Sequence, residues 1–422
     1  MSNSKLPMER FTGFLGIALI LGIAFAMSNN RKAINLRLVS SGLALQLTLA
    51  IIILKVGPVR EFFRFLGHGM EKIEGFAREG AKFVLGGVLP DAGELGKVFG
   101  PGRGFIFAFN IPATIILVCV LVAILYHVGI MQRVVAVIAR GVNFIMGASG
   151  AEALSNVASA FVGQVEAQVM IRPYLNGMTN SELLASMSGS MACIAGGILI
   201  VYVNMGIPAE YLITASLMAA PGALVISKIV YPETADSQTK GKVTLHVKSQ
   251  YSNLIDAISH GAADGMKISI NVIAMLIGFI ALIAFVNFVL AKLNMLAGSP
   301  MAEFSLNTIF GWIFYPLAWC MGVPSQDVHQ VAVLMGQKIS INEFVAYLNL
   351  KDIQSTLTPK AMLIASFALC GFANFSSVGM QIGGIGELAP HRREDLAKLG
   401  IRALICGTLA SYLSATIAGI LS

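Results

Sequence analysis

The chain has 422 residues, of which 56% are hydrophobic and only 12% charged. A soluble protein of this length covers its surface with far more charge, whereas a bilayer accepts apolar side chains around most of the perimeter. The formal net charge of +7 lies in short segments between apolar runs, which favours anionic headgroups over nucleic acid as neighbours, and no nucleic-acid motif accompanies it.

Residues 11–27 and 38–54 read as two membrane helices. The link SNNRKAINLR carries Arg31, Lys32 and Arg37, which favours a cytoplasmic position and an outside N-terminus. The first apolar run lacks a small-residue cleavage site and is followed by another span, so it reads as a retained anchor. Residues 59–88 interleave Phe62, Phe63, Phe65, Leu66, Ile73 and Phe76 with Arg64, Glu71, Lys72, Glu74 and Arg78, the pattern of an interfacial amphipathic helix. A Gly-rich continuation through Arg103 leads to a third span at 105–127.

Residues 149–174 are too polar and too rich in Gly and Ser for a clean span. Apolar stretches flank Val162 to Glu166, as in a re-entrant hairpin whose exposed backbone faces protein or a watery cavity. Spans at 183–203 and 211–229 follow, then a polar stretch at 232–259 read as a cytoplasmic loop, then a span at 270–290. Residues 304–323 run to VPSQD and 328–347 return with Glu343 inside, a second hairpin. Spans at 362–384 and 401–421 finish the chain. Hairpin, span, span thus occurs twice around one central helix, which predicts inverted repeats meeting near the midplane.

The expected units are residues 1–127 (scaffold helices and interfacial helix), 128–229 (first hairpin and two helices), 230–300 (loop and central helix) and 301–422 (second hairpin and two helices). Arg133, Arg140, Lys240, Lys242, Arg392, Arg393 and Lys398 fall in the linkers assigned to the cytoplasm, which puts both termini outside. The amphipathic region assigned outside is also basic and opposes that orientation. Cys119, Cys193, Cys320, Cys370 and Cys406 sit in apolar surroundings without metal-ligand spacing and read as small core hydrophobes.

Against this background the polar groups stand out: Gln164 and Glu166 in FVGQVEAQ, Glu343 in NEFVAY, Asn374 and Ser377 in CGFANFSSVG. Carboxylates and amides are costly in hydrocarbon unless paired or facing a polar path, so they point to a transported solute. Asn374 and Ser377, three apart, share one face of a helix. Gln326 and Asp327 after Val323-Pro324 mark the second break and suit a helix end, and Asn342 is a secondary candidate beside Glu343. No Walker motif, catalytic triad or cofactor fingerprint argues for a pump or an enzyme.

The segments SNNRKAINLR, FVGQVEAQVMIRPYL, MACIAGGIL, NEFVAY and SFALCGFANFSSVG, in this order, resemble the concentrative nucleoside transporter family, especially its bacterial members, over nearly the whole chain. The resemblance implies an all-α polytopic membrane protein with eight transmembrane helices, two opposed re-entrant hairpins and an interfacial helix, assembled as a homotrimer in the bacterial cytoplasmic membrane. It implies secondary symport of nucleosides without a cofactor. Gln164, Val165 and Glu166 match nucleobase-binding positions, although Val165 stands where Thr or Ser is usual; Gln164 and Glu166 read equally as caps of the hairpin break. Ile198 matches an apolar base contact, with ordinary packing an equal alternative, and Glu343, Asn374 and Ser377 match ribose contacts. Phe372 matches an aromatic beside sugar or base, with ordinary packing as the alternative. For Glu343 the alternative is a buried ion pair with a lysine.

For the coupling ion, the resemblance implies a sodium site at Ser159, Val162, Cys193 and Ile194. Ser159 replaces Asn and Cys193 replaces Ser or Thr, and a thiol is a soft ligand for a hard cation. Sodium is favoured; protons, with Glu166 or Glu343 titrating, are the alternative. A carrier of nucleobases or another small polar solute is the rival reading of the substrate.

Overall fold

The structure, a computed structural model, describes residues 6–87, 94, 95, 97, 106–240, 251–296 and 304–422. Among them every regular element is helical. Helices α1 (Leu6–Ala26) and α2 (Leu36–Lys55) match the first two predicted spans. Between them the basic link closes α1: Arg31 donates to the carbonyls of Phe25 and Ala26 at 3.3 and 3.2 Å, in the last turn where the helical i→i−4 bonds run out. Asn35 then caps α2 by accepting from the Leu38 amide. The amphipathic stretch forms α3 (Gly57–Leu85), with the pairs Arg64–Glu61 and Arg78–Glu74 on its surface beside exposed Phe65, Phe76 and Phe83. The Gly-rich continuation to Arg103 lies largely outside the described residues, as does Lys242 of the polar loop.

After α4 (Phe107–His127) the structure departs from the expected basic linker. Residues Ile130–Met146 form a helix, α5, bounded by Gly129 at φ 82° and Gly147 at φ 68°. Both glycines hold left-handed conformations that a Cβ resists. Its buried stripe is Met131, Val135, Ala139, Val142 and Met146, and Arg133 and Arg140 lie on the exposed face. That helical spacing was present in the sequence, and the two arginines concealed it.

Next come α6 (Gly150–Ser159) and the short helices α7 (Glu166–Val169) and α8 (Arg172–Leu175), with a turn between Ser159 and Glu166. The span expected at 183–203 is two helices, α9 (Asn180–Ala192) and α10 (Gly196–Asn204), interrupted by extended backbone at Cys193 and Ala195. Following α11 (Ala209–Val230), the central helix α12 starts at Leu254, inside the expected loop, and continues to Leu296. Helices α13 (Leu306–Cys320) and α14 (Val328–Ser340) form the second pair. Glu343 is not inside the second arm: α14 ends at Ser340, and Glu343 opens a separate helix, α15 (Glu343–Ile353), capped by Asn342. The span expected at 362–384 is likewise broken, into α16 (Pro359–Leu369) and α17 (Phe375–Leu388), before α18 (Arg393–Leu421).

Five helices among the described residues are long and apolar enough to cross a membrane. They divide by burial. The apolar windows of α11 and of the helix ending the chain are 89% and 83% buried, whereas that of α12 is 6% buried. The first two therefore form the centre of the protein, and α12 turns its side chains outward. What α12 does bury is one close approach to α4: a Cβ on Gly261 would come within 2.8 Å of the Cys119 carbonyl, and one on Gly265 within 2.6 Å of the Ile116 Cα. Small residues four apart let two membrane helices meet backbone to backbone.

The central body is fastened by polar groups at the helix starts. Ser149 with Glu152 and Thr179 with Glu182 form reciprocal capping boxes on α6 and α9. Lys228, near the end of α11, reaches Glu152 at 2.7 Å, Glu233 at 3.2 Å and the Ser181 hydroxyl at 2.9 Å. Asp327 makes no side-chain cap on α14; its carboxylate accepts from the amide and hydroxyl of Thr358, the N-cap residue of α16. All five cysteines are free, three of them buried.

Candidate functional site

A cavity of about 390 Å³ lies where the two broken helices and the turn after α6 meet α4 and α12. It is lined by all eight predicted substrate residues: Gln164, Val165, Glu166, Ile198, Glu343, Phe372, Asn374 and Ser377. Sequence distance is no guide here, since the lining runs from Ile115 to Met380.

Glu343 is 6% exposed at the first position of α15. Its Oε1 accepts from the Tyr202 hydroxyl at 3.2 Å and its Oε2 from Asn374 Nδ2 at 3.0 Å. The lysine alternative has a different answer: buried Lys338 donates to the carbonyls of Ala368 and Cys370, at 2.8 and 3.3 Å, and so neutralises the end of α16 at the second break. Asn374 and Ser377 both line the cavity, as the N-cap and the third residue of α17. Asn374 Oδ1 accepts from the Ser377 amide at 2.9 Å while its amide nitrogen serves Glu343. One side chain thus starts the helix and orients the carboxylate.

On the other wall, Gln164 reaches across to α17 through long contacts, from Nε2 to Ser377 Oγ at 3.5 Å and to its Oε1 from Gln381 Nε2 at 3.5 Å. These spare bonds leave it exchangeable toward a ligand. Gly163, at φ 115°, makes the turn possible, and a Cβ there would lie 2.6 Å from Glu166 Oε2. Glu166 is exposed into the cavity, whereas Val165 packs over Gly384, where a Cβ would come within 2.7 Å of it. Phe372 and Ile198 supply apolar wall.

The predicted ion positions fall at the contact between the turn and the first break, where the Gly196 amide donates to the Phe161 carbonyl at 3.2 Å. Val162 lines the cavity; Ser159, Cys193 and Ile194 are buried. Ser159 Oγ donates to the Ser155 carbonyl at 2.8 Å and lies 2.9 Å from Ser190 Oγ. The Cys193 thiol donates to the Ser216 carbonyl at 3.7 Å, and its own carbonyl accepts from the Phe372 amide at 3.3 Å. Oxygen is present, but much of it is engaged within the protein.

Sequence reasoning missed Tyr202, Gln381 and Asp264. Tyr202 had a signal, four residues after Ile198 and so on the same face of one helix. Gln381 is fully buried between the walls and donates to the Met187 carbonyl at 3.2 Å. Asp264 lines the cavity from α12.

Two interrupted helices that place polar side chains in one central cavity are the architecture of secondary transporters. Comparison with known proteins makes the class specific: the chain belongs to the Na+-dependent, or concentrative, nucleoside transporter family. The descriptions "Na+ dependent nucleoside transporter N-terminus", "Nucleoside recognition" and "Na+ dependent nucleoside transporter C-terminus" match residues 15–88, 108–209 and 211–419. An uncharacterized transporter of Haemophilus influenzae is 40% identical over 419 residues, 98% of both chains. The nucleoside permease NupC of Helicobacter pylori is 38% identical over 414 residues, 96% of both. The solved structure of CNTnw in an inward-facing substrate-bound state superposes with a TM-score of 0.91 at 39% identity, covering 97% of each chain.

Proposed function

We propose that this member of a family of cation-coupled nucleoside transporters imports nucleosides with sodium, without bond-making chemistry. The single observation that carries the reading is Glu343, held by Tyr202 and Asn374 in the same cavity as Gln164 and Glu166. A carboxylate accepting from adjacent hydroxyls recognises ribose through charge-assisted bonds. On this reading Glu343, Asn374 and Ser377 hold the sugar, Gln164 and Glu166 read the base edge, Val165 and Ile198 supply apolar contact, and Phe372 flanks the sugar or base.

The proposed topology counts α9–α10 and α16–α17 as one interrupted span each, giving eight transmembrane helices with α1, α2, α4, α11, α12 and α18. The pairs α6 with α7–α8 and α13 with α14 are the two opposed re-entrant hairpins of inverted repeats, and α3 lies at the membrane interface. We assign residues 1–127 and 230–300 chiefly to a scaffold, and 128–229 and 301–422 to the moving body. The assembly is a homotrimer in the bacterial cytoplasmic membrane with both termini outside. Transport requires different affinities for the ligands in the outward and inward states, since equal affinity shifts no population.

For the coupling ion, sodium rests on the family and on the backbone oxygens around Val162. A specific observation favours a second reading: the Ser159 hydroxyl is already bonded, and Cys193 offers sulfur. That reading is proton coupling through Glu166 or Glu343. Proteoliposomes decide between them. Uridine concentrated under a sodium gradient at equal pH is the expected result. Concentration only under a pH gradient without sodium rejects sodium, and concentration under neither rejects symport.

A further inference from the structure

Two helices end inside the body, at the two interruptions: α9 at Ala192 and α16 at Leu369, each followed by a cysteine in extended backbone. A helix end presents carbonyls without helical donors and carries the negative end of the macrodipole. In transporters built from broken helices, such ends hold the coupling cation. Each end here is met by a hairpin helix. Ser159, the last residue of α6, lies 2.9 Å from Ser190 on α9. Lys338, near the end of α14, reaches the Ala368 and Cys370 carbonyls of the other break at 2.8 and 3.3 Å.

The two places differ in charge. Helices α6, α9 and α10 contain no Lys or Arg, so the first break receives no cation from its own repeat. The second is supplied internally. Lys338 is fully buried, and its ammonium lies 5.7 Å from the ring centre of Tyr412, whose face attracts a cation. Tyr412 is held by donating to the Met335 carbonyl at 3.4 Å, and the neighbouring Ser411 hydroxyl donates to the Cys370 carbonyl at 2.8 Å. Glu343, five residues on, is engaged by Tyr202 and Asn374 instead. Burying an ammonium is costly, so carbonyls and a ring face gathered around one make a cation site rather than a packing contact. Resting on the cation-coupled reading of the first break, we infer that Lys338 is a resident cation: its ammonium fills at the second break the place that the transported ion takes at the first, so that one coupling cation rather than two accompanies each nucleoside. A tethered cation is never released, and the second break keeps its shape while the first loses and regains its ion.

Lys338→Ala (K338A) removes the ammonium and leaves room for a small ion; Lys338→Met removes it and fills the room. Thermal unfolding of the purified full chain, without nucleoside, is read in choline and in methylammonium, the detached head of a lysine, at equal concentration and pH. In choline both variants should unfold below the unaltered protein. In methylammonium Lys338→Ala should regain its lost midpoint in a saturable way, while Lys338→Met and the unaltered protein stay where they were. A Lys338→Ala midpoint equal to the unaltered one in choline, or a loss that methylammonium does not repair, assigns Lys338 to anchoring alone and overturns the inference. A second reading needs no variant. In proteoliposomes the reversal potential of the uridine-driven current counts the charges moved per nucleoside, sodium and protons alike. One charge is expected; two place a further transported ion beyond the first break and overturn the resident cation. Uptake that moves no charge defeats the cation-coupled reading itself, and the thermal series still decides the role of Lys338.

Discussion

The amide of Phe372 donates to the carbonyl of Cys193 at 3.3 Å, joining the interruption of one span directly to the interruption of another. Each break leaves backbone groups without helical partners, and in hydrocarbon every such group is costly. Crossing the two breaks satisfies one with the other and puts Phe372 and Asn374 against the cavity. The cavity and the crossing are one construction: the backbone that cannot be helical is gathered where polar contact with a solute is wanted.

Glycine at position 371 is what permits the crossing. Its φ is 123°, and a Cβ would come within 2.6 Å of the Ala192 carbonyl. Gly371→Ala should destabilise the protein by about 2 kcal/mol or more through backbone strain alone. Gly379→Ala, on α17 with nothing near its Cβ, should be neutral or mildly stabilising. Thermal unfolding in detergent compares the two, and equal midpoints would remove the argument from the crossing.

Replacing Glu343 by Gln should weaken uridine binding about 100-fold, as two charge-assisted bonds become neutral ones. Oligomer assembly and thermal midpoint should be kept, because Gln can still accept from Tyr202 or Asn374. Calorimetry together with size-exclusion chromatography checks both halves. Retained uridine affinity would sink the role of the carboxylate.

Gln164→Ala should change the order of preference among uridine, cytidine and adenosine, with relative affinities moving by about 3- to 10-fold. The long bonds from Gln164 to Ser377 and Gln381 are weak enough to be exchanged for a base edge. Competition uptake against a panel of bases reads the order. An unchanged order with reduced protein abundance would mark Gln164 as a structural cap of the turn.

Lys228→Met removes the cation between two carboxylates at the start of α6, where the Lys228 and Glu152 side chains are 5% and 2% exposed. Stranding a buried charge costs about 3–5 kcal/mol. The variant should express poorly or unfold early, and adding Glu152→Gln should restore part of the loss. A double variant as unstable as the single one would show that the pairing is not the source.

Much of this protein was legible in its residues, because a bilayer forces long apolar runs and makes every embedded polar group conspicuous. That physics picked out Gln164, Glu166, Glu343, Asn374 and Ser377, and the order of their motifs identified the family. Only the tertiary structure decided how they are used. Hydropathy averages over a window and is blind to an interruption that keeps apolar side chains, so the breaks at Cys193 and Cys370 passed for continuous spans. The arginines of α5 disguised an amphipathic helix as a linker. Local sequence likewise gave no means to choose a partner for Glu343 from the chain's lysines: Lys338 lies five residues away yet bonds two carbonyls at the end of α16, while Tyr202 and Asn374 arrive from distant spans. Such pairings depend on where backbone helices end and cross in space, and that is set by the packing of the whole body around α11 and α18.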